Sequence, residues 1–108
     1  MFYTLNRIAE EVGSPFYIAH PDLFRENIRN FTKAFCEIYS NFILSYSFKT
    51  NYTPFLLQCV KEEGVFAEVV SEIEYGIAEL MGFKGNQIIL NGPIKSAEFL
   101  KKALENGS

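Results

Sequence analysis

Metal ligands are scarce in this sequence, which has a single histidine, His20, and only two cysteines, Cys36 and Cys59. A structural zinc site takes four ligands, mostly thiolate and imidazole, at short spacings, so no metal site is expected. The two cysteines fall inside separate helical patterns and read as buried free thiols. Long apolar runs are also missing. None approaches the roughly 20 residues needed to cross a bilayer, and no basic segment followed by an apolar signal core opens the chain. The expectation is a soluble, cytoplasmic protein with no membrane partner. Basic residues are scattered and the formal net charge is −3, which argues against a nucleic-acid surface. Neither a G-x-G-x-x-G pattern nor a P-loop occurs, so nothing supports nucleotide binding.

The 108 residues are 48% hydrophobic and 21% charged, within the range of globular domains. They suffice for one core, read here as a single unit over 1–108. A short helix is expected from Leu5 to Val12, stopped by Gly13, and then strand and helix alternate. Phe16-Tyr17-Ile18-Ala19 reads as a strand, and His20-Pro21 opens a helix with Phe24, Ile28, Phe31, Phe35 and Ile38 on one stripe. Phe42 to Phe48 reads as a second strand. Thr53-Pro54 has the form of an N-cap followed by proline at the first helical position, and Gly64 supplies the stop. Phe66 to Val70 is the next strand, and Ser71-Glu72-Ile73-Glu74 matches a capping box ahead of a stripe of Ile73, Ile77, Leu80 and Met81. Ile88 to Asn91 is a strand, and Ser96 caps a last helix through about Glu105. Such an alternation predicts a parallel α/β arrangement, either an open doubly wound sheet or part of a (β/α)₈ barrel. A complete barrel takes about 250 residues, so this chain would make only its first portion, about four βα units.

Lys49 is the residue that carries chemistry. On the strand leading to it, Phe42, Leu44, Tyr46 and Phe48 share one face, while Ile43, Ser45, Ser47 and Lys49 share the other. A lysine there is either a solvated strand end or an amine whose pKa is lowered by desolvation or a nearby cation, able to form a Schiff base with a carbonyl. Glu68 interrupts the apolar strand 66–70 and needs a cation or donors, with Lys49 as the candidate partner. Glu74 is explained by the capping box, and it also stands where the carboxyl rim of a barrel would place an active site. Asn91-Gly92-Pro93 reads as a turn before a helix, and His20 as structural or exposed.

These segments resemble a known family. Tyr46-Ser47-Phe48-Lys49-Thr50-Asn51 resembles the Tyr-Ala-Val-Lys-Ala-Asn signature of the pyridoxal-phosphate amino-acid decarboxylases with an alanine-racemase-type barrel. Ala67-Glu68-Val69-Val70-Ser71-Glu72-Ile73-Glu74 is similar to the family's Ala-Asp-Val-Val-Ser-Gly-Gly-Glu. Ile88 to Ser96 resembles its Ile-Val-Phe-Asn-Gly-x-x-Lys-Ser, and Pro15-Phe16-Tyr17 its Thr-Pro-Leu-Tyr start. The departures are Ser47 and Phe48 for Ala and Val, Glu68 for Asp, and Glu72-Ile73 for Gly-Gly.

The resemblance implies pyridoxal 5′-phosphate as cofactor, Lys49 as the catalytic lysine that binds it covalently, and Glu68 and Glu74 as acidic cofactor-binding positions. It implies decarboxylation of a small amino acid, with diaminopimelate giving lysine as the leading substrate, by a homodimeric enzyme. It also implies that residues 1–108 are the N-terminal part of the barrel and inactive by themselves. A racemase or synthase on the same barrel, and a small non-enzymatic α/β binding module with Lys49 and Glu68 as a buried ion pair, are the alternative expectations.

Overall fold

The computed structural model describes residues 2–108, and sets helices against a three-stranded parallel sheet in the order β1-β2-β3. The sheet is built from β1 (Ser45–Ser47), β2 (Phe66–Val69) and β3 (Ile88–Leu90), connected through α3 (Pro54–Glu62) and α4 (Glu72–Leu80). Helices α1 (Phe2–Val12) and α2 (Pro21–Cys36) precede the sheet and α5 (Ala97–Glu105) follows it. Parallel neighbours need a crossover, and here each crossover is one helix.

Local chemistry accounts for most of the boundaries. Gly13 ends α1 at a φ of 85°, where its N–H donates to Ala9 O at 3.0 Å; this left-handed geometry suits a glycine at a helix end. Pro21 begins α2 and Pro54 begins α3, positions where a missing N–H costs nothing. The side chains of Ser71 and Ser96 cap α4 and α5, accepting from the N–H groups of Glu74 at 3.2 Å and Phe99 at 3.0 Å. Thr53, by contrast, makes no side-chain cap; its own N–H donates to Asn51 Oδ1 at 2.9 Å, closing an Asx-type turn instead.

The core lies between the outer face of the sheet and the helices. Ala67 and Val69 of β2 point into it, with Phe48, Leu57, Val60, Tyr75 and Phe99 around them. Burying each large member stabilises the fold by about 1.5–3 kcal/mol. The opposite face of the sheet carries Ser47, Glu68 and Ile89 in one row, since Ser47 pairs with Glu68 and Glu68 with Ile89.

Several expectations are corrected. Phe16 to Ala19 is extended but pairs with no strand among the described residues, and Tyr17 is fully exposed, so three strands form where four were expected. A strand signal needs a neighbouring ladder to become a strand, and no described strand pairs with this one. The second strand is shorter than read. Its regular part is Ser45–Ser47, after which Phe48–Thr50 turns as a 3-10 segment. In α4 the buried face is Glu74, Tyr75 and Ala78, while Ile73 and Leu80 are 78% and 89% exposed. The Tyr75 ring wins that face because it stacks edge-on against Phe99 at 5.3 Å while its hydroxyl meets Ser108 Oγ at 3.0 Å. The α2 stripe is buried only in its first half. Phe24 and Ile28 pack on the core, whereas Phe31, Phe35 and Ile38 are exposed, with Phe35 stacked on Phe42 at 4.8 Å. Cys59 is buried as expected, but Cys36 is exposed because it ends α2 beyond the part that meets the sheet.

Candidate functional site

All three strands are parallel, so their carboxyl ends share one rim. That rim holds Lys49 after β1, Val70 to Glu74 after β2, and Asn91 to Lys95 after β3. In barrel and open α/β sheets alike, such a rim is where ligands are bound, because loops of free conformation stand there on a rigid sheet.

Lys49 sits in the middle of the 3-10 turn, exposed to solvent, in none of the ion pairs among the described residues. The turn is locked by Thr50, whose hydroxyl donates to Ser47 O at 2.7 Å. The expected ion pair between Lys49 and Glu68 is therefore not formed, and the buried-pair reading is corrected. Because the chain leaves the extended conformation at Phe48, Lys49 does not continue the inner-face alternation into the sheet. Its amine stands at the rim, free to be approached.

Glu68 remains on the inner face, half-buried, and its Oε1 has no hydrogen-bond partner. A carboxylate oxygen out of water and without a donor is costly, and groups of that kind concentrate where a ligand completes the set. Glu74 is only 8% exposed. Its carboxylate Oε2 accepts from the Val70 N–H at 2.8 Å, while its own N–H is capped by Ser71. This is the capping box displaced by one residue, and it holds the chain rigid where β2 becomes α4.

On the third loop, the Asn91 N–H continues the ladder to Val69 O at 2.8 Å, and Asn91 Oδ1 accepts from the Gly92 N–H at 2.7 Å. Gly92 has a φ of 94°, and a Cβ there would come 3.0 Å from Val70 O, so both backbone conformation and space exclude a side chain. The turn reading of Asn91-Gly92-Pro93 thus holds. Lys95 closes the same turn through Gly92 O, a contact that its spacing in the sequence did not suggest. His20 is exposed at the start of α2 and makes no cap bond. It lines, with Asn51 and Thr53, an open cleft of about 610 Å³ between the 17–20 arm and the loop after β1, a cleft that reaches none of Lys49, Glu68 and Glu74.

An accessible primary amine above an inner face with an unpartnered carboxylate is a donor set suited to an aldehyde cofactor with polar substituents. Residues 22–108 match the family of the pyridoxal-dependent decarboxylases over its pyridoxal binding domain. The chain belongs to that family. Pyridoxal phosphate is the cofactor its pyridoxal-binding domain implies. Family members it resembles include the diaminopimelate decarboxylase of Bacillus subtilis, 33% identical over 99 residues, or 92% of this chain. The chain spans 23% of the length of that relative. Among solved structures, diaminopimelate decarboxylase from M. jannaschii in complex with L-lysine superposes with a TM-score of 0.83 at 27% identity, over 93% of this chain and 24% of that one. A lysine/ornithine decarboxylase complexed with putrescine from Vibrio vulnificus reaches 0.80 at 22% identity over 97% of this chain and 28% of its own, a likeness of fold. The fold class read from the sequence, the first portion of a pyridoxal-binding barrel, is the one these structures share. No cluster of metal ligands occurs among the described residues, nor is any described helix long and apolar enough to cross a membrane.

Proposed function

We propose that this chain provides the catalytic lysine of a pyridoxal-phosphate-dependent amino-acid decarboxylase, with diaminopimelate as substrate and lysine as product. The observation that carries the proposal is the position of Lys49, an accessible amine on the carboxyl rim of a sheet belonging to a pyridoxal-binding domain. Likeness to diaminopimelate decarboxylases in both sequence and structure supports the substrate.

Lys49, Glu68 and Glu74 would hold pyridoxal phosphate. Lys49 binds it covalently through its amine, Glu68 offers an unpartnered carboxylate oxygen from the inner face, and Glu74 fixes the rim by its bond to Val70. When bound, the cofactor supplies the electron sink that receives the pair left on the substrate's α-carbon as CO₂ departs. The chain's own residues do the rest of what these loops allow. Lys49 would hold the cofactor through its unprotonated amine and, when that amine is free, would be the group that returns a proton to the substrate's α-carbon. Glu68, as an anion, favours retention of positive charge nearby. The hydrogen-bonded turns at Thr50, Glu74 and Gly92 give the rim a defined backbone from which these groups act.

The test uses the whole protein, supplied with pyridoxal phosphate and, in turn, diaminopimelate, ornithine and lysine. Release of CO₂ with one lysine formed per diaminopimelate is the expected result, in a protein that runs as a homodimer. Inversion at the α-carbon with no CO₂ would overturn decarboxylation in favour of racemisation. Replacing Lys49 by Ala should abolish the visible absorption band of bound cofactor.

A further inference from the structure

Among the described residues two buried side-chain polar atoms lack a hydrogen-bond partner, Ser47 Oγ and Glu68 Oε1. The register makes them neighbours, because Ser47 pairs with Glu68 across β1 and β2. Paired residues of parallel strands send their side chains to the same face, so both stand on the inner face beneath the rim that carries Lys49. A buried unsatisfied hydroxyl or carboxylate oxygen lowers stability, and an alanine at position 47 would remove one of the two at no loss of packing. Stability therefore gives no reason for a serine here. Both residues are also departures from the resembled motifs, a hydroxyl in place of hydrogen and an acid longer by a methylene, and the two departures sit side by side in one row of the sheet.

We propose that Ser47 is a positioning residue for Glu68. Its hydroxyl, the one donor of the pair, donates to the acceptor-only Glu68 carboxylate when the site is loaded, and so holds the longer acid where it meets the cofactor. This rests on the pyridoxal-phosphate reading above. In the structure neither atom has found the other, which matches a contact completed on loading rather than one needed for folding.

The experiment titrates the whole protein with pyridoxal phosphate and records the dissociation constant and the visible absorption maximum. Ser47→Ala should weaken binding about tenfold, the size of a hydrogen bond to a charged group, and displace the absorption maximum. Ser47→Thr, which keeps the hydroxyl on a strand-compatible side chain, should restore both. In a Glu68→Ala background, which removes the acceptor, Ser47→Ala should add nothing further. The thermal midpoint of the cofactor-free protein should hold or rise in Ser47→Ala, since an unpartnered buried hydroxyl is removed. Unchanged binding and spectrum in Ser47→Ala, an equal loss in the Glu68→Ala background, or a fall in the cofactor-free midpoint would each overturn the proposal. A Lys49→Ala protein that kept the absorption band would overturn the cofactor reading itself, and this inference with it.

Discussion

Lys49, in the turn after β1, and Glu74, in the first turn of α4 after β2, are both charged residues near the rim, yet the structure gives them opposite circumstances: one amine is left accessible, and one carboxylate is spent on a backbone N–H. Their difference was partly legible. Ser71 three residues before Glu74 announced the cap, since that spacing brings a hydroxyl and a carboxyl to opposite ends of the same helical turn. That the carboxylate would choose Val70 rather than Ser71 was not legible, because the choice depends on how β2 enters the helix. Glu74→Ala should leave the Val70 N–H without its acceptor and raise its hydrogen-exchange rate by roughly tenfold or more, equivalent to about 1–2 kcal/mol of lost local protection. Glu74→Gln, which keeps an acceptor oxygen, should recover most of it. Exchange at Val70 unchanged in Glu74→Ala would mean that the carboxylate bond does not hold this turn in solution. Ser47 and Glu68 show the opposite limit. Each was visible on its own strand as an inner-face residue, but nothing in either strand tells which residue of one lies beside which residue of the other, and register is what makes them a pair.

Helix α2 docks on α3 through a charged cluster that no spacing in the sequence announced, since its members are 34 to 38 positions apart. Arg29 Nε and Arg25 Nη1 bond the Glu63 carboxylate at 2.7 and 3.2 Å, and Arg25 also pairs with Glu62, which accepts from Gln58 at 2.7 Å. The hydrogen bond from Arg29 holds the Glu63 carboxyl below its usual range, and those from Gln58 and then Arg25 do the same for Glu62. A carboxyl whose folded pKa is depressed contributes stability above its unfolded pKa, near 4.3, and loses it as pH falls through the lower folded value. Docking of α2 should therefore loosen progressively as pH drops below about 4, seen as faster exchange of α2 amides, and an Arg25→Ala, Arg29→Ala double variant should show weaker docking with a flatter response. A pH-independent α2 would show that the cluster is merely solvated. At the other end of the sheet, the contact between the 3-10 segment Gly85–Gln87 and the end of α5 is steric rather than charged. A Cβ at Gly85 would fall 1.8 Å from Asn106 O, a backbone atom that cannot yield without moving the helix end. Gly85→Ala should lower the thermal midpoint of the whole protein, by an amount on the scale of about 1–3 kcal/mol for an overpacked site. An unshifted midpoint would show that α5 can slide away freely.

Over the whole molecule, the strand and helix order was readable because period-2 and period-3.6 patterns, caps and glycine stops are local, whereas which faces end up covered is not. The Cα radius of gyration is 17.0 Å with extents of 52 × 36 × 23 Å, against about 13 Å for a compact domain of this length. The excess has a structural origin. Among the described residues both β1 and β3 are edge strands, the inner face has no opposing layer, and apolar side chains such as Ile73, Leu80, Ile89, Ile94 and Leu104 are at least 40% exposed. It is also why Ile73 and Leu80 of the α4 stripe emerge bare while Ile77 and Met81 pack on the core, and why the second half of the α2 stripe is exposed: the pattern is that of a helix covered on more sides than these residues alone cover. An open parallel edge and apolar patches of this kind favour association with further chain. Residues 1–108 produced by themselves should accordingly elute as assemblies larger than 12.4 kDa, bind a hydrophobic dye, and melt without a sharp transition. They should also fail to hold pyridoxal phosphate tightly, since Lys49 on the rim, Glu68 beneath it and Glu74 at the start of α4 all stand on one side of the site, and nothing among the described residues opposes them. A monomer of 12.4 kDa with a cooperative transition and no dye binding would show that the three-stranded sheet with its helices is a self-sufficient core, and would require the exposed stripes to be explained as a surface rather than as an unfinished interior.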